Sequence, residues 1–483
     1  MQAEQAYLFR HALLRDAAYQ LQLPGDRAKL HSLAFSLIEQ MAGGRAPEPK
    51  PAAGLELLQE AHPTDTFAHE LAEHALLAQD DSSAPAEKLA ALGTLASLYL
   101  RRGAHHAQAQ YRHDLAASLW TKSAAATTGV DRAVALCRAA SAAERAGRPH
   151  DAERIFQIAL NQLRELGNQR CLGYALIDLA ILYQNTGRVE LAERCFEQAL
   201  AMLRHRGERL GEARALGGLA GIHHETGRRE MAEQGEMQAL AMFREIQNRR
   251  GEAISLSNLA NLQKGAGRLE QALQGFERAL DIFQEIGDLR NAGLIWSKMG
   301  GVYDQQGRTD SAQRCYEHAL SVHRRVGDRR LEGVTLANFA IFLDDQRLIP
   351  QAESSYKQGL AISQEMGDLR SAGIALKNLA SLYRDTGRME LSESCHLQAL
   401  SLHRQVGNRR FEGLSLCDYA LLKLLLGRVD EARQTWREGA AILGEVKAKV
   451  DLERKTTSMQ TACTKQGVPP FDLGLPQISA GQL

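Results

Sequence analysis

Residues 378–400 read NLASLYRDTGRMELSESCHLQAL, and similar stretches recur along the chain at steps of 40 residues. The pair Gly-Arg begins at residues 147, 187, 227, 267, 307, 387 and 427, and Arg347-Leu348 stand where one further copy is expected. The pair Ala-Leu keeps the same step at residues 159, 199, 239, 279, 319 and 399. A period this regular indicates a repeat array in which each 40-residue stretch forms one structural unit.

Each repeat has the pattern of two helices. Between residues 250 and 286, apolar residues follow one another at steps of three and four, which places them on one side of a helix. Gly267 stands where a left-handed cap ends the first helix, and Asp288 can cap the helix that opens the next repeat. Pro350, the only proline between residues 150 and 468, falls in the first turn of a helix, where proline is tolerated. We therefore predict an all-α fold, an α-solenoid of antiparallel helix pairs.

The small and aromatic residues of each repeat resemble the signature of the tetratricopeptide repeat. In one copy the signature residues are Leu179-Ala180, Tyr183, Ala192, Phe196 and Ala199. The 40-residue step, with its Gly-Asp-Arg connector, resembles the longer variant of kinesin light chains and Pins-type scaffolds. The resemblance covers about residues 130–446, or eight repeats, and a more divergent repeat lies at 86–128. It implies a curved superhelix whose first helices line a concave groove for an extended peptide.

Prolines outside the array mark the predicted segment boundaries, since they cluster at residues 47–63 and 469–476. We predict five segments. They are a helical segment at 1–41, a Pro-rich linker at 42–63, a degenerate repeat-like region at 64–129, eight repeats at 130–448, and a capping helix with a flexible tail at 449–483.

Residues 7–40 resemble the segment that follows the ATPase module in bacterial STAND-type signalling proteins, including ATPase–repeat proteins associated with adenylate cyclases. The resemblance implies a regulatory partnership with an ATPase, cyclase or kinase module in trans, or an origin as part of a longer chain. The sequence itself has no GxxxxGK[ST] phosphate-binding loop. The alternative interpretation is a plain helical cap on the array.

Polar residues on one face of the first helices are the candidate binding site. Asparagine suits the backbone of a peptide because its amide both donates and accepts hydrogen bonds. The candidate groove residues are Asn258, Asn261, Lys264, Lys298, Asp304, Asn338, Asp344, Lys377, Asn378, Ser381 and Arg384. Their mixed charges favour a peptide of mixed charge over a purely acidic or basic one. The alternative is that these residues are the solvated side of amphipathic helices.

Other function classes have little support. Lys+Arg and Asp+Glu are both 58, which argues against nucleic acid as the main partner. The stretch HELAEH at 69–74 spaces its histidines by five residues, whereas a zincin helix needs a spacing of four. We find no nucleophile elbow and no run of 18 apolar residues, and the cysteines are expected to be buried thiols. The expectation is a cytoplasmic protein with no enzymatic activity, no cofactor, no metal and no membrane contact.

Two further expectations concern mechanism. The first is that the chain is a scaffold that binds a protein or extended peptide in its groove; the alternatives are a ligand-sensing arm of a STAND-type ATPase or cyclase system and a self-associating ribbon. The second is a soft joint at residues 211–246, where Glu236 replaces the usual aromatic and glycines interrupt the helices. These glycines are Gly211, Gly217, Gly218, Gly221, Gly227 and Gly235.

Overall fold

The computed structural model describes residues 22–48, 50–51, 57–58, 60–110 and 112–472. The chain divides into two compact bodies. Residues 1–143 and 154–168 belong to the N-terminal body, and residues 144–153 and 169–483 belong to the array body.

The described part of the N-terminal body is mostly helical, with one short antiparallel pair of strands in which Lys50 lies opposite Leu58. Its elements are α1 (Pro24–Met41), β1 (Lys50–Pro51), β2 (Leu57–Leu58), a 3₁₀ helix (Pro63–Phe67), α2 (Ala68–Leu77), a second 3₁₀ helix (Ala78–Asp80), α3 (Ala86–Ala109) and α4 (His113–Ala125). Two further helices follow along the chain, α5 (Gly129–Arg145) and α6 (Pro149–Glu165).

The array body repeats one helix pair. Each first helix except the last described one packs along the second helix that follows it, and the two are joined by a three-residue turn. The first helices are α7 (Gln169–Asn185), α9 (Arg209–Glu225), α11 (Arg249–Gly265), α13 (Leu289–Gln305), α15 (Arg329–Asp345), α17 (Leu369–Asp385), α19 (Arg409–Leu425) and α21 (Lys449–Gln466). The second helices are α8 (Val189–His205), α10 (Arg229–Glu245), α12 (Leu269–Glu285), α14 (Thr309–Arg325), α16 (Ile349–Glu365), α18 (Met389–Gln405) and α20 (Val429–Glu445). The prediction of an all-α solenoid is confirmed.

The Gly-Arg pair has a double role in the turn. Its glycine adopts a left-handed conformation, with φ of 77° at both Gly187 and Gly387, which a residue without Cβ adopts at little cost. Its arginine reaches back to the second helix of the preceding repeat, where Arg388 Nη1 donates to Glu353 Oε2 at 2.6 Å. The Arg388 guanidinium also lies 4.4 Å from the centroid of the Tyr383 ring. Neighbouring repeats are therefore joined by the residues that mark the period.

The cap predicted at Asp288 is also present, and later repeats have the same cap. Asp288, Asp328 and Asp368 each accept a hydrogen bond from a backbone N–H in the first turn of the helix that follows. Pro350 stands in the first turn of α16, as expected from its fixed φ. Small residues carry the close contact between paired helices, since Ala260 and Ala272 are both completely buried. Phe276 is buried beside them and fills the space towards the next repeat.

The glycines at 211–246 have a packing role as well. A Cβ on Gly218 would lie only 2.3 Å from the ring of Phe196, so the ring occupies the space that a side chain would need. In the same way, a Cβ on Gly211 would come within 2.7 Å of Leu203. These glycines allow large second-helix side chains to pack against α9. The soft joint itself stays a prediction.

Within the array body, the first repeats touch the last ones. Arg370 Nη1 on α17 donates to Asn185 Oδ1 on α7 at 2.8 Å, although 185 residues separate them. Lys447 Nζ lies 2.6 Å from Glu190 Oε1. No helix among the described residues has the length and apolar character needed to cross a bilayer.

Candidate functional site

The eleven candidate groove residues all lie on first helices, namely α11, α13, α15 and α17. Hydrogen bonds between successive first helices bring the register together. Lys298 Nζ donates to Ser257 Oγ of the preceding repeat at 2.7 Å, and Asn338 Nδ2 lies 3.4 Å from Ser297 Oγ. We call the surface formed by these eleven residues the ladder face. The pairing partners Ser257 and Ser297 were not among the predicted site residues.

The side chains of the ladder face are accessible. Asn338 is exposed and the other ten candidates are partly buried, the most covered being Lys377 and Arg384, whose side chains are 15% and 12% exposed. Within the described part of the chain, the side chains of Asn261 and Asn378 make no hydrogen bond. Their amides are therefore available to an incoming peptide group.

The charged groups of the ladder face are poorly solvated. Burial lowers the pKa of Lys298 to about 8 and also lowers the pKa of Lys264. Burial, followed by the charge of Asp345, raises the pKa of Asp304. Burial also raises the pKa of Asp344, to which the charge of Asp385 adds. Such shifts mean that the charged forms lack full stabilisation, which a bound ligand of opposite charge can supply.

Some candidates have partners within the protein. Lys377 Nζ lies 3.6 Å from Asp418 Oδ2, and Arg384 Nε donates to Asp385 Oδ1 at 2.8 Å. Ser381 Oγ donates to the backbone carbonyl of Lys377 at 3.3 Å, as serines often do inside helices. The two ends of the ladder face therefore differ. Lys377 has a carboxylate within 4 Å, whereas Lys264 on α11 and Lys298 on α13 have no such ion pair among the described residues.

Glu236 lies next to the ladder face. The sequence shows that it replaces an aromatic residue but does not show what its carboxyl group contacts. It occupies the aromatic position on α10 and is only 2% exposed. Asn258 Nδ2, on the ladder face, donates to Glu236 Oε1 at 2.8 Å. Burial raises the pKa of this carboxyl to about 7, and the polar side chains of Asn258 and Ser255 and the charge of Lys298 oppose that rise only in part. A partly satisfied carboxyl therefore lies directly under the candidate site.

Replacing Glu236 by glutamine is expected to stabilise the protein at alkaline pH. The pKa of Glu236 in the folded protein, about 7, lies above the ordinary value of 4.5. The carboxyl therefore does not lower the free energy of unfolding below pH 4.5, and it lowers it increasingly as pH rises from 4.5 through 7. The difference of about 2.5 pK units corresponds to about 3 kcal/mol. Urea unfolding at pH 5 and pH 8 should show that Glu236→Gln gains most of this amount, about 2.5 kcal/mol, between the two values. Glu230→Gln, at an exposed position of the same helix, should show no such change; equal pH dependence of the two variants would refute the assignment.

The structure gives no support for the metal sites weighed from the sequence. His69 Nε2 pairs with Glu73 at 3.2 Å, and His74 Nδ1 lies 2.7 Å from His31 Nδ1. Among the residues that the structure describes, no group of three or more His, Cys, Asp or Glu side chains is arranged to hold a metal ion.

The stacked helix pairs and the polar register on their first helices define an α-solenoid repeat protein. A sequence model of the tetratricopeptide repeat matches residues 131–205, 171–245, 211–285, 291–365 and 371–444. These matches span more than half of the chain, which belongs to the tetratricopeptide repeat family. The resemblance seen in the sequence is thereby confirmed. No curated protein matches the chain.

Several solved structures are similar to this chain. A Rap protein complexed with competence and sporulation factor is 12% identical, with a TM-score of 0.52, over 78% of this chain and 99% of that chain. BtubC (BKLC) from P. vanneervenii is 20% identical, with a TM-score of 0.36, over 46% of this chain and 90% of that chain. A putative kinesin light chain from Podospora anserina is 16% identical, with a TM-score of 0.33, over 40% of this chain and 94% of that chain. At these identities the likeness is one of fold alone.

The resemblance of residues 7–40 to the segment after a STAND ATPase stays a prediction. Residues 7–21 lie outside the described part, and Pro24–Met41 forms helix α1. The five segment boundaries also stay predictions.

Proposed function

We propose that this protein is a non-enzymatic scaffold that binds an extended peptide, or an extended segment of a protein partner, on its ladder face. The observation that carries the proposal is the pair of unbonded amides, Asn261 and Asn378, in a face whose lysines and aspartates are incompletely stabilised. An extended peptide supplies donors and acceptors at regular intervals and can therefore satisfy such a ladder. The Rap protein of similar fold, solved with competence and sporulation factor, is a precedent for a ligand on this architecture.

The finer part of the proposal is a cytoplasmic, regulatory role in bacterial signalling. It rests on the sequence of residues 7–40, which points to an ATPase, cyclase or kinase module that acts in trans. In that arrangement, peptide occupancy of the ladder face would control the partner module. The tetratricopeptide fold supports binding as the activity, because its repeats create a long continuous surface.

Replacing Asn258, Asn338 and Asn378 together by alanine is expected to abolish peptide binding and leave the fold intact. The three amides share one register on α11, α15 and α17 and belong to the ladder face. The probe is a displayed library of random 12-residue peptides, selected on the full chain. The selected peptides are then titrated against both proteins by fluorescence anisotropy, and circular dichroism reports the helix content.

The matched control for this experiment is the triple variant Gln358→Ala, Gln398→Ala and Gln434→Ala. These glutamines are exposed on second helices, so their loss removes the same number of amides elsewhere on the array. The control should bind like the wild type. If the asparagine variant binds the peptides as tightly as the wild type, the ladder face is not the peptide-binding site.

A further inference from the structure

The first helix α9 leaves a gap in the side-chain lining of the array. Gly217, Gly218 and Gly221 occupy the register that carries side chains in the next repeat. There the equivalent residues are Ser257, Asn258 and Asn261. The space at Gly218 is taken by Phe196, but a Cβ on Gly217 would approach only the carboxyl oxygens of Glu236. A Cβ on Gly221 would approach only Gln184 Nε2, at 3.3 Å.

A carboxyl group forms the floor of this gap. An atom placed where Gly217 lacks its Cβ would lie 3.9 Å from Glu236 Oε1 and 4.0 Å from Oε2. A donor atom of a ligand at this position would have to move only about 1 Å closer to a carboxyl oxygen of Glu236 to form a hydrogen bond. Oε1 already accepts from Asn258, whereas Oε2 has no hydrogen-bond partner among the described residues. Because Glu236 is 98% buried, the unmade hydrogen bond carries the full cost of desolvation.

Lys298 does not pair with this carboxyl. Lys298 is close enough for its charge to lower the pKa of Glu236, but its Nζ donates to Ser257 Oγ at 2.7 Å. No ion pair within 4 Å joins Lys298 to Glu236 in the described part of the array. This contrasts with Asp418, which draws Lys455 into direct contact.

We propose that Gly217, Gly221 and Glu236 form a subsite for one basic side chain, arginine or lysine, of the bound peptide. The proposal rests on the function proposed above and names one element of its ligand. The aliphatic stem of the side chain would lie along the bare backbone of α9, and its charged end would donate to Glu236 Oε2. A cation fits better than a neutral donor because a hydrogen bond to an ionised partner is about twice as strong.

The test uses peptides selected on the full chain from a displayed library of random 12-residue sequences. In each selected peptide, every arginine is replaced in turn by citrulline, its neutral analogue, and every lysine by norleucine. One replacement should weaken binding to the wild type at least tenfold, the loss typical of a buried charged contact. The same replacement should change binding to Glu236→Gln less than twofold, because the carboxylate partner is gone.

A second variant blocks the gap and leaves the carboxylate in place. Gly217→Ala adds a methyl group at ordinary contact distance from Glu236, so α9 should remain folded. It should lower the affinity for the peptide with the basic residue at least tenfold and leave the affinity for the citrulline or norleucine peptide unchanged. Gly265→Ala is the matched control, since no side chain lies within 4 Å of the Cβ that it adds.

The possible outcomes separate this proposal from the one on which it rests. If selected peptides bind but no basic residue matters, or if its effect persists in Glu236→Gln, the subsite is refuted and peptide binding stands. If the library yields no binding peptide, both proposals fail.

Discussion

Arg102→Ala is expected to lower the free energy of unfolding of the N-terminal body by about 3–5 kcal/mol, the usual cost of breaking a buried ion pair. Arg102 on α3 is completely buried, and Asp65, its partner, is 7% exposed. The pair is bidentate, with Nε donating to Oδ1 at 2.7 Å and Nη2 to Oδ2 at 3.1 Å. The same guanidinium also donates to the carbonyls of Pro47 and Glu60 at 3.1 and 2.9 Å. Alanine would leave one buried carboxylate and two carbonyls without this donor.

The expected loss of stability depends on the planar guanidinium group of Arg102, which offers several donors at once. Arg102→Lys should recover little of it, because a single ammonium cannot make the same set of bonds. Arg101→Ala is the matched control. It removes a half-buried neighbour that pairs with the exposed Glu48 at 2.8 Å, and such surface pairs contribute less than about 1 kcal/mol.

Urea unfolding of the three variants, combined with hydrogen exchange over residues 24–48 and 60–110, measures the effect. Exchange should rise in these segments for Arg102→Ala and Arg102→Lys, and remain unchanged for Arg101→Ala. Equal stabilities of the two alanine variants would show that the buried pair does not hold the body together.

The sequence predicted the parts of the fold that its period encodes. A 40-residue repeat fixes where helices begin and end, since the glycine turns and Asp or Asn caps are local signals. The ladder face followed from the same register. Contacts between distant repeats, such as that of Arg370 with Asn185, have no local signal, because 185 residues separate the partners.

The role of Glu236 shows the limit of the same reasoning. Its presence at an aromatic position is visible in the sequence and suggested a weak repeat. Its environment, however, is assembled from α9, α10 and α11 and from Lys298 on α13, so burial and partners emerge only after the helices stack. If Glu236→Gln raises the free energy of unfolding, the buried carboxyl lowers the stability of the wild type, as is common for residues that serve binding.

A second buried charge cluster lies at the C-terminal end of the array. Asp418 on α19 is 4% exposed and contacts Lys377 on α17 and Lys455 on α21. Burial alone would raise the pKa of this carboxyl, but the two ammonium groups outweigh it and lower the pKa to about 2. Burial in turn lowers the pKa of Lys377, which Asp418 opposes. The carboxylate therefore joins a candidate groove residue to the last helix of the array.

Asp418→Asn is expected to lower the free energy of unfolding of the array body by about 3–5 kcal/mol, because it leaves two largely buried lysines without their carboxylate. Fluorescence of Trp436, which is buried in the core shared by α19, α20 and α21, can follow urea unfolding. Asp472→Asn is the matched control, since its pair with Arg437 at 2.9 Å is exposed and should contribute under about 1 kcal/mol. Adding Lys455→Met to Asp418→Asn should restore part of the loss, as one unpaired charge is then removed. If the double variant is no more stable than Asp418→Asn, packing rather than charge accounts for the effect.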